Sequence, residues 1–350
     1  MSKLKIDYQG KIVYVGTDVH KAKYVMTARC DGVVVKKATC PARPGPFAES
    51  LTKWFHGARI VSAYEAGFSG FGLHRILVAM GVENIVVNPS SIEVAANDRV
   101  KTDKRDSNKI SEQLVAGRLS GIYVPTVKEE LRRQLPRTRD QLVNARSRVG
   151  NQIKSKLFQF SFIDSDDNES MSNKLLKRYE KLDLPEDLKF CIDLLIDEWR
   201  QLTKKILKLN KAMAEQAESE PQIEAVYRSA PGIGPVSSRV LATELGNMAR
   251  FSSAKSLFSY TGLTPSEHSS GEKVHRGRIS RQGNVWIRGV LIEVAWRAIE
   301  KDPSLREAYD RIKIRRGGKI AIVAIARKLI GRVRACFKKD SIYQYLPAAA

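Results

Sequence analysis

Cysteine is scarce: Cys30, Cys40, Cys191 and Cys336 are the only four in 350 residues, widely spread and with no C-x-x-C pair. That spacing excludes a zinc site of the ribbon or finger type and a disulfide framework, and suits small core residues in a reducing compartment. Long apolar runs are also missing. No stretch approaches the ~18 residues of a membrane span, and the opening MSKLKIDYQGK lacks the apolar centre of a signal peptide, so a cytoplasmic protein is expected. Acid is in short supply, with 38 Asp plus Glu against 60 Lys plus Arg and a formal net charge of +22. Such an excess calls for a polyanionic partner, because every phosphate neutralised releases condensed counterions. Nucleic acid is that partner, since neither a basic amphipathic anchor nor a lipidation motif points to membrane. There is no G-x-x-x-x-G-K-[ST], and GFSGFG after Glu65 lacks G-x-G-x-x-G spacing, so no nucleoside triphosphate is implied. Internal repeats and low-complexity tracts are absent.

What is present is 43% hydrophobic residues, enough for two or three domains with their own cores. Residues 11–42 read as three strands in an antiparallel meander with a turn at Asp31-Gly32. A helix follows from about Pro46, with Phe47 and Leu51 on one face, then a strand over RIVSAYEAG. Next come a helix over Leu73 and Leu77 and a short strand ENIVVNP, which together predict an α/β domain with a mixed sheet. A helix opening near KTDKRDSNKISEQLVAG places Asp106, Ile110 and Leu114 four apart, with Asp103 one turn earlier, so both carboxylates share the face that packs on the sheet. Residues 137–160 form a long helix carrying Arg137, Arg139 and Arg146. IDSDDNES reads as a loop or hinge. Leu188, Ile192, Leu195, Trp199, Leu202, Ile206, Leu209 and Met213 then alternate in steps of four and three, the signature of a coiled coil. The remainder, from about Ile223, reads as helical and basic. The expected division is 1–126, 127–222 and 223–350.

VGTDVHK, residues 15–21, sets the central question. A strand that ends on an apolar run carries Asp18 into or beside the core, where a carboxylate costs several kcal/mol unless it is paired or bound to metal. Asp18, Glu65 at the end of a later strand, and Asp103 with Asp106 on the following helix can converge on one point. Unpaired carboxylates gathered there become favourable once divalent cations neutralise them, and hard oxygen ligands suit Mg²⁺, with Mn²⁺ as a substitute. Two such ions stabilise the attacking and leaving oxygens in phosphoryl transfer. Each acid taken alone also fits a surface or capping role, Asp103 and Asp106 at a helix N-terminus especially; the metal reading rests on the four together.

Two further stretches bear on chemistry. APGIGP, residues 230–235, has the form of a helix-hairpin-helix turn, in which Gly232 and Gly234 would free backbone N–H groups for phosphate oxygens; the alternative is an ordinary glycine turn. EHSSGEKVHRGRISRQGN combines Ser269 and Ser270 with Lys273, Arg276 and Arg278. A serine hydroxyl becomes a useful nucleophile only where its proton is removed or the developing charge is stabilised, and a basic Ser-Gly loop taken alone is most simply a loop.

Taken in order, GTDVHK, YEAG, NPSSIEVAANDRVKTDKRDS, SAPGIGPVSSRVLATELG, FSYTGLTPSEHSSGEKVHRGRISRQGN and GGKIAIVAIARKLI resemble one family along essentially the whole chain. It is that of the bacterial insertion-sequence transposases with an N-terminal RuvC-like DEDD domain and a C-terminal serine-bearing transposase domain, the bridge-RNA-guided DNA recombinases. The resemblance implies a RuvC/RNase H-like mixed-sheet domain, a helical coiled-coil region and an all-helical transposase domain. It implies that Asp18, Glu65, Asp103 and Asp106 hold the metal and that Ser270, in the Ser-Gly element after GLTP, forms a covalent link to DNA; Ser269 beside it is the alternative. It further implies a homodimer assembling to a tetramer on donor and target duplexes, with a structured noncoding bridge RNA as guide. Two rivals use less of the chain. A RuvC-like junction resolvase would hydrolyse DNA with metal-activated water, leaving Ser270 idle, and a non-enzymatic DNA-bridging protein would leave the four acids unexplained.

Overall fold

The computed structural model describes residues 7–93, 102–164, 169–267, 276–280 and 282–345, and contacts divide the chain into two compact units, Met1–Pro125 and Thr126–Ala350. In the first unit β1 (Ile12–Val19), β2 (Lys23–Cys30) and β3 (Val33–Pro41) form the antiparallel meander. Asp31 and Gly32 take positive φ at its turn (51° and 77°), as a two-residue hairpin matched to strand twist requires. Then come α1 (Pro44–Trp54), β4 (Arg59–Glu65), α2 (Gly72–Ala79), β5 (Glu83–Val87) and α3 (Asp103–Val115). The sheet order is β3-β2-β1-β4-β5, with β4 parallel to β1 and β5 parallel to β4.

Alternation along the strands sorts the two faces. Val13, Val15, Met26, Ala28, Tyr64 and Val86 pack on Phe47 and Leu51 of α1 and Leu73 and Leu77 of α2. On the opposite face Ala63 and Val87, with Tyr14, Val61 and Ile85, meet Ile110 and Leu114 of α3. Burying two such side chains contributes roughly 1.5–3 kcal/mol each, and Thr27 Oγ1 with Ser107 Oγ (3.0 Å) adds a buried hydrogen bond between β2 and α3. Gly16 permits the contact. A Cβ there would stand 2.3 Å from Ser107 O and 2.4 Å from Ser111 N, so only glycine lets α3 lie this close to the central strand.

The second unit is mainly helical: α4 (Val127–Arg132), α5 (Gln134–Gln159), α6 (Asn173–Tyr179), α7 (Glu186–Glu218), α8 (Pro221–Ser229), α9 (Pro235–Leu245), α10 (Ala254–Tyr260), β6 (Pro265–Glu267), β7 (Arg276–Ile279), α11 (Val285–Lys301), α12 (Pro303–Arg316) and α13 (Gly318–Lys338). Along the first half of α7, the heptad seam is covered within the chain. Leu188, Ile192, Ile196, Trp199 and Leu202 share a core with Val149, Ile153 and Leu157 of α5 and Leu175, Leu176 and Tyr179 of α6. Bonds from Arg139 to Asn210 (2.6 Å) and from Arg146 to Thr203 (3.5 Å) show that α5 and α7 run antiparallel. Ile196, not Leu195, takes the fully buried place. The expected all-helical C-terminal portion needs one correction: β6 and β7 form a two-stranded antiparallel sheet, whose pairing satisfies backbone groups in a Gly/Ser-rich stretch that does not sustain a helix. Helices α8 to α13 close on a core including Tyr227, Leu241, Leu257, Leu291, Leu329 and Ile330. Among the described residues no helix is long and apolar enough to cross a membrane.

Candidate active site

Strand register and helix docking in the first unit bring the N-terminal acids together. Thr17 of β1 pairs with Tyr64 of β4. Asp18 and Glu65, each one residue further on, therefore end neighbouring parallel strands on the face that α3 covers. Thr102 caps α3 by accepting from Arg105 N–H, which starts the helix with Asp103 and Asp106 in its first turn, where carboxylates also complement the helix dipole. Because Gly16 holds α3 against β1, that first turn lies beside the end of β1. Asp106 is the lower of the two, with 17% of its side chain exposed against 37% for Asp103.

His20 joins the cluster. Its Nε2 is 3.0 Å from Asp18 Oδ2 and 3.3 Å from Asp103 Oδ1, while Lys23 Nζ lies 2.7 Å from Asp103 Oδ2 and Lys109 Nζ 3.7 Å from Asp106 Oδ1. Burial pushes the Asp18 pKa above the usual carboxylate value; His20 works the other way, and the charges of Asp103 and Asp106 push it up further. Asp103 moves down instead, because the Lys23 ammonium hydrogen-bonds to it. Ligand atoms of Asp18, His20 and Asp103 all lie within 4.8 Å of one another, a spacing that a single cation can span. The donor chemistry fits a divalent ion: half-buried carboxylate oxygens whose mutual repulsion a cation relieves, with an imidazole nitrogen at the rim. His20 and Lys23 are site residues that sequence reasoning did not single out. His20 lies two positions beyond Asp18 and one past the end of β1, where extended chain would carry it to the same side as Asp18, and that was the available signal.

The residues expected to act from the second half are distributed differently. Ser269, Ser270 and Lys273 lie outside the described residues. Arg276 begins β7, and Arg278 is exposed on it, its carbonyl accepting from Ser266 Oγ (3.1 Å). At the APGIGP turn Gly232 has φ +77° and sits where a Cβ would be 2.6 Å from Val294 O, so this glycine accommodates α11. Gly234 N–H donates to Ser237 Oγ (3.0 Å), capping α9. Arg137, Arg139 and Arg146 of α5 have partners within their own unit. Arg137 bonds to the fully buried Glu244 (2.6 Å), Arg139 donates to Asn210, and Arg146 lies over the Trp199 ring, 5.3 Å from its centroid. Glu244 also meets Arg133 (3.7 Å) and accepts from Asn284 Nδ2 (3.3 Å), so one buried acid links α5, α9 and the N-cap of α11.

Comparison with known proteins decides the family. A DEDD transposase model of the IS110 group matches residues 15–162, and a second model, described as the transposase IS116/IS110/IS902 family, matches residues 225–310. The chain belongs to the IS110/IS116 family of transposases. A protein of Sinorhizobium fredii named as transposase y4qE is 29% identical over 77% of this chain and 73% of its own length. The transposase for insertion sequence element IS1111A of Coxiella burnetii is 24% identical over 77% and 76%. That for IS1533 of Leptospira borgpetersenii is 26% identical over 93% and 96%. As a transposase the protein is a DNA-cleaving and recombining enzyme, and the acids just described fall within the stretch matched by the DEDD model.

Proposed function

We propose that this transposase cuts and rejoins DNA by phosphoryl transfer through a serine nucleophile, with a RuvC-like first domain supplying a divalent-metal site and a bridge RNA choosing donor and target. The observation that carries the metal site is the convergence of Asp18, Asp103 and Asp106 beside the strand end that Glu65 shares, in a chain otherwise strongly basic. Asp18, Glu65, Asp103 and Asp106 would hold the ion, Mg²⁺ or Mn²⁺. When bound, it supplies Lewis-acid stabilisation of the phosphoryl oxygens in the transition state.

In the proposed step Ser270 Oγ attacks the phosphorus and loses its proton, a deoxyribose oxygen leaves and takes one up, and the chain is joined to DNA by a phosphodiester. Attack by a deoxyribose hydroxyl from the exchanging strand reverses these events and restores the serine. The bond energy is kept in the linkage, so no nucleoside triphosphate is consumed, in keeping with the missing P-loop. Lys273, Arg276 and Arg278 would stabilise the phosphoryl charge. The 223–350 portion would carry this chemistry, and 127–222 would join two chains into a dimer that pairs to a tetramer on two duplexes. The RNA reading rests on charge suited to backbone contacts without a zinc-finger array or clear recognition helix to read base edges. We also assign Arg137, Arg139 and Arg146 and the turn of Gly232 and Gly234 to nucleic-acid contact, made beside the partners they hold in the fold.

The test is adduct trapping on nicked DNA from the element's ends. A protein–DNA adduct lost in Ser270→Ala and kept in Ser269→Ala supports the serine mechanism; the reverse pattern moves the nucleophile by one residue. Metal-dependent cutting with no adduct in any variant favours the hydrolytic resolvase. Recombination at the native site after complete removal of RNA overturns the guide.

A further inference from the structure

A shallow depression of about 350 Å³ on the first unit is lined by Lys37 of the edge strand β3 and by Lys104, Arg105, Asn108, Lys109 and Glu112 of α3. Among the described residues, four cations and one acid line it. That acid is committed within the fold, since Glu112 accepts from Arg29 Nη2 (2.5 Å) and from Asn108 Nδ2 (3.0 Å). A basic hollow concentrates positive potential and so favours an anionic ligand, even where its cations also hold partners within the fold, as Lys109 does with Asp106. A phosphodiester matches the lining, with one charge and two acceptor oxygens for ammonium groups and a forked guanidinium.

The depression adjoins the acids of the candidate active site. Lys109 takes part in both, lining the hollow while its Nζ lies 3.7 Å from Asp106. The cations of α3 that line the hollow run from Lys104 to Lys109, one to six residues past Asp103, so they extend to about 9 Å along the axis at 1.5 Å per residue. A DNA strand advances about 3.4 Å per nucleotide. A strand attacked at the acids therefore brings another of its phosphates to the hollow.

We propose that Lys37, Lys104, Arg105 and Lys109 form a phosphate cradle that grips the DNA strand cut at the acid cluster, within about three nucleotides of the scissile linkage. The proposal rests on the reading of those acids as the cleavage centre. Its occupant is DNA because the strand at that centre is the substrate of a DNA-cleaving enzyme. The contact reads backbone and not bases, so it positions the strand without choosing its sequence.

The experiment uses the full-length protein in complex with nucleic acid from its own element. A single uncharged methylphosphonate is moved stepwise along the cut strand, with binding measured in chelator and cleavage in Mg²⁺. Wild-type binding should weaken about tenfold at one linkage within about three nucleotides of the cut. Lys104→Gln/Arg105→Gln should weaken binding to unmodified DNA by a similar factor, lower the salt slope by about two, and lose sensitivity to that linkage. Lys37→Gln, on a different element, gives a second variant should the first fail to fold. An unchanged salt slope, losses that add instead of cancelling, or sensitivity confined to RNA linkages overturns the cradle. Asp18→Ala separates the two readings. The footprint in chelator should persist in it while cleavage stops; cleavage that survives refutes the acids as the centre, and a persisting footprint still supports the cradle.

Discussion

Replacing Gly16 by alanine should dislodge α3 and, through it, the acids. The added Cβ would stand 2.3 Å from Ser107 O and 2.4 Å from Ser111 N, whereas ordinary contact begins at 3.4 Å. Both neighbours are helix backbone, so neither can swing aside. The helix must retreat by about 1 Å or the strand must bulge, and such overpacking typically costs about 1–3 kcal/mol. In melting temperature that is a drop of roughly 5–10 °C. The functional loss should be larger than the stability loss. Asp103 and Asp106 ride on the displaced helix, metal sites tolerate errors of about 0.2 Å, and a 1 Å misplacement can cost about 100-fold in rate. The assays are thermal melting with and without Mg²⁺, and strand cleavage at a temperature where the variant is folded. Gly289→Ala is the control: it lies in α11 with nothing within 4 Å of its added Cβ, and should be neutral or stabilising by about 0.5–1 kcal/mol. Gly16→Ala protein that melts with the wild type and cuts at the wild-type rate refutes the account of how α3 delivers the acids.

Asp18→Asn should melt at or above the wild type in chelator, because burial and the neighbouring acids disfavour the carboxylate; added Mg²⁺ should stabilise the wild type alone, and a variant that gains equally shows that Asp18 is no ligand. Burial works against the Asp302 carboxylate, yet bonds from Ser304 Oγ, Tyr343 OH and Leu305 N–H, with Arg332 nearby, hold its pKa below the ordinary value. The folded chain therefore binds fewer protons there, so the stability is present above about pH 4 and is lost as pH falls through the lowered value. Asp302→Asn should cost about 3 kcal/mol at neutral pH by urea unfolding, the difference closing in acid; a difference independent of pH would contradict the assignment. Glu244→Gln leaves Arg133 and Arg137 without their buried acid and should cost about 3 kcal/mol, read in the same denaturant assay; an unchanged midpoint would show that the buried ion pairs contribute nothing.

Local pattern carried much of the fold. The β-branched runs of the meander, the Asp31-Gly32 turn, the spacing of Phe47 with Leu51 and the step of four from Asp106 through Leu114 are each readable within a dozen residues, and strands, turn and helices appear where those periods place them. The reading of α7 went only halfway. Its apolar seam is visible as a heptad, but whether α5 of the same chain or another molecule covers it depends on contacts some fifty residues distant, and along the first half α5 does. The hairpin of β6 and β7 was missed because three- and four-residue strands are too short to show a period.

The same division runs through the candidate site. Residue identities and their spacing alone determined which side chains were worth watching: acids at two strand ends and on the first turn of a helix, serines in a basic loop, and a charge balance that demands a polyanion. Only tertiary structure decided that β4 pairs with β1 in the register that aligns Glu65 with Asp18. It also decided that His20 and Lys23 share the cluster, that Gly16 exists to admit α3, and that Arg137 spends its charge on Glu244. The reason is physical. Periodicity is imposed by backbone geometry over neighbouring residues and is written along the chain. Register, helix docking and the pairing of distant charges are set by which surfaces exclude water together, and that choice is made by the whole fold at once.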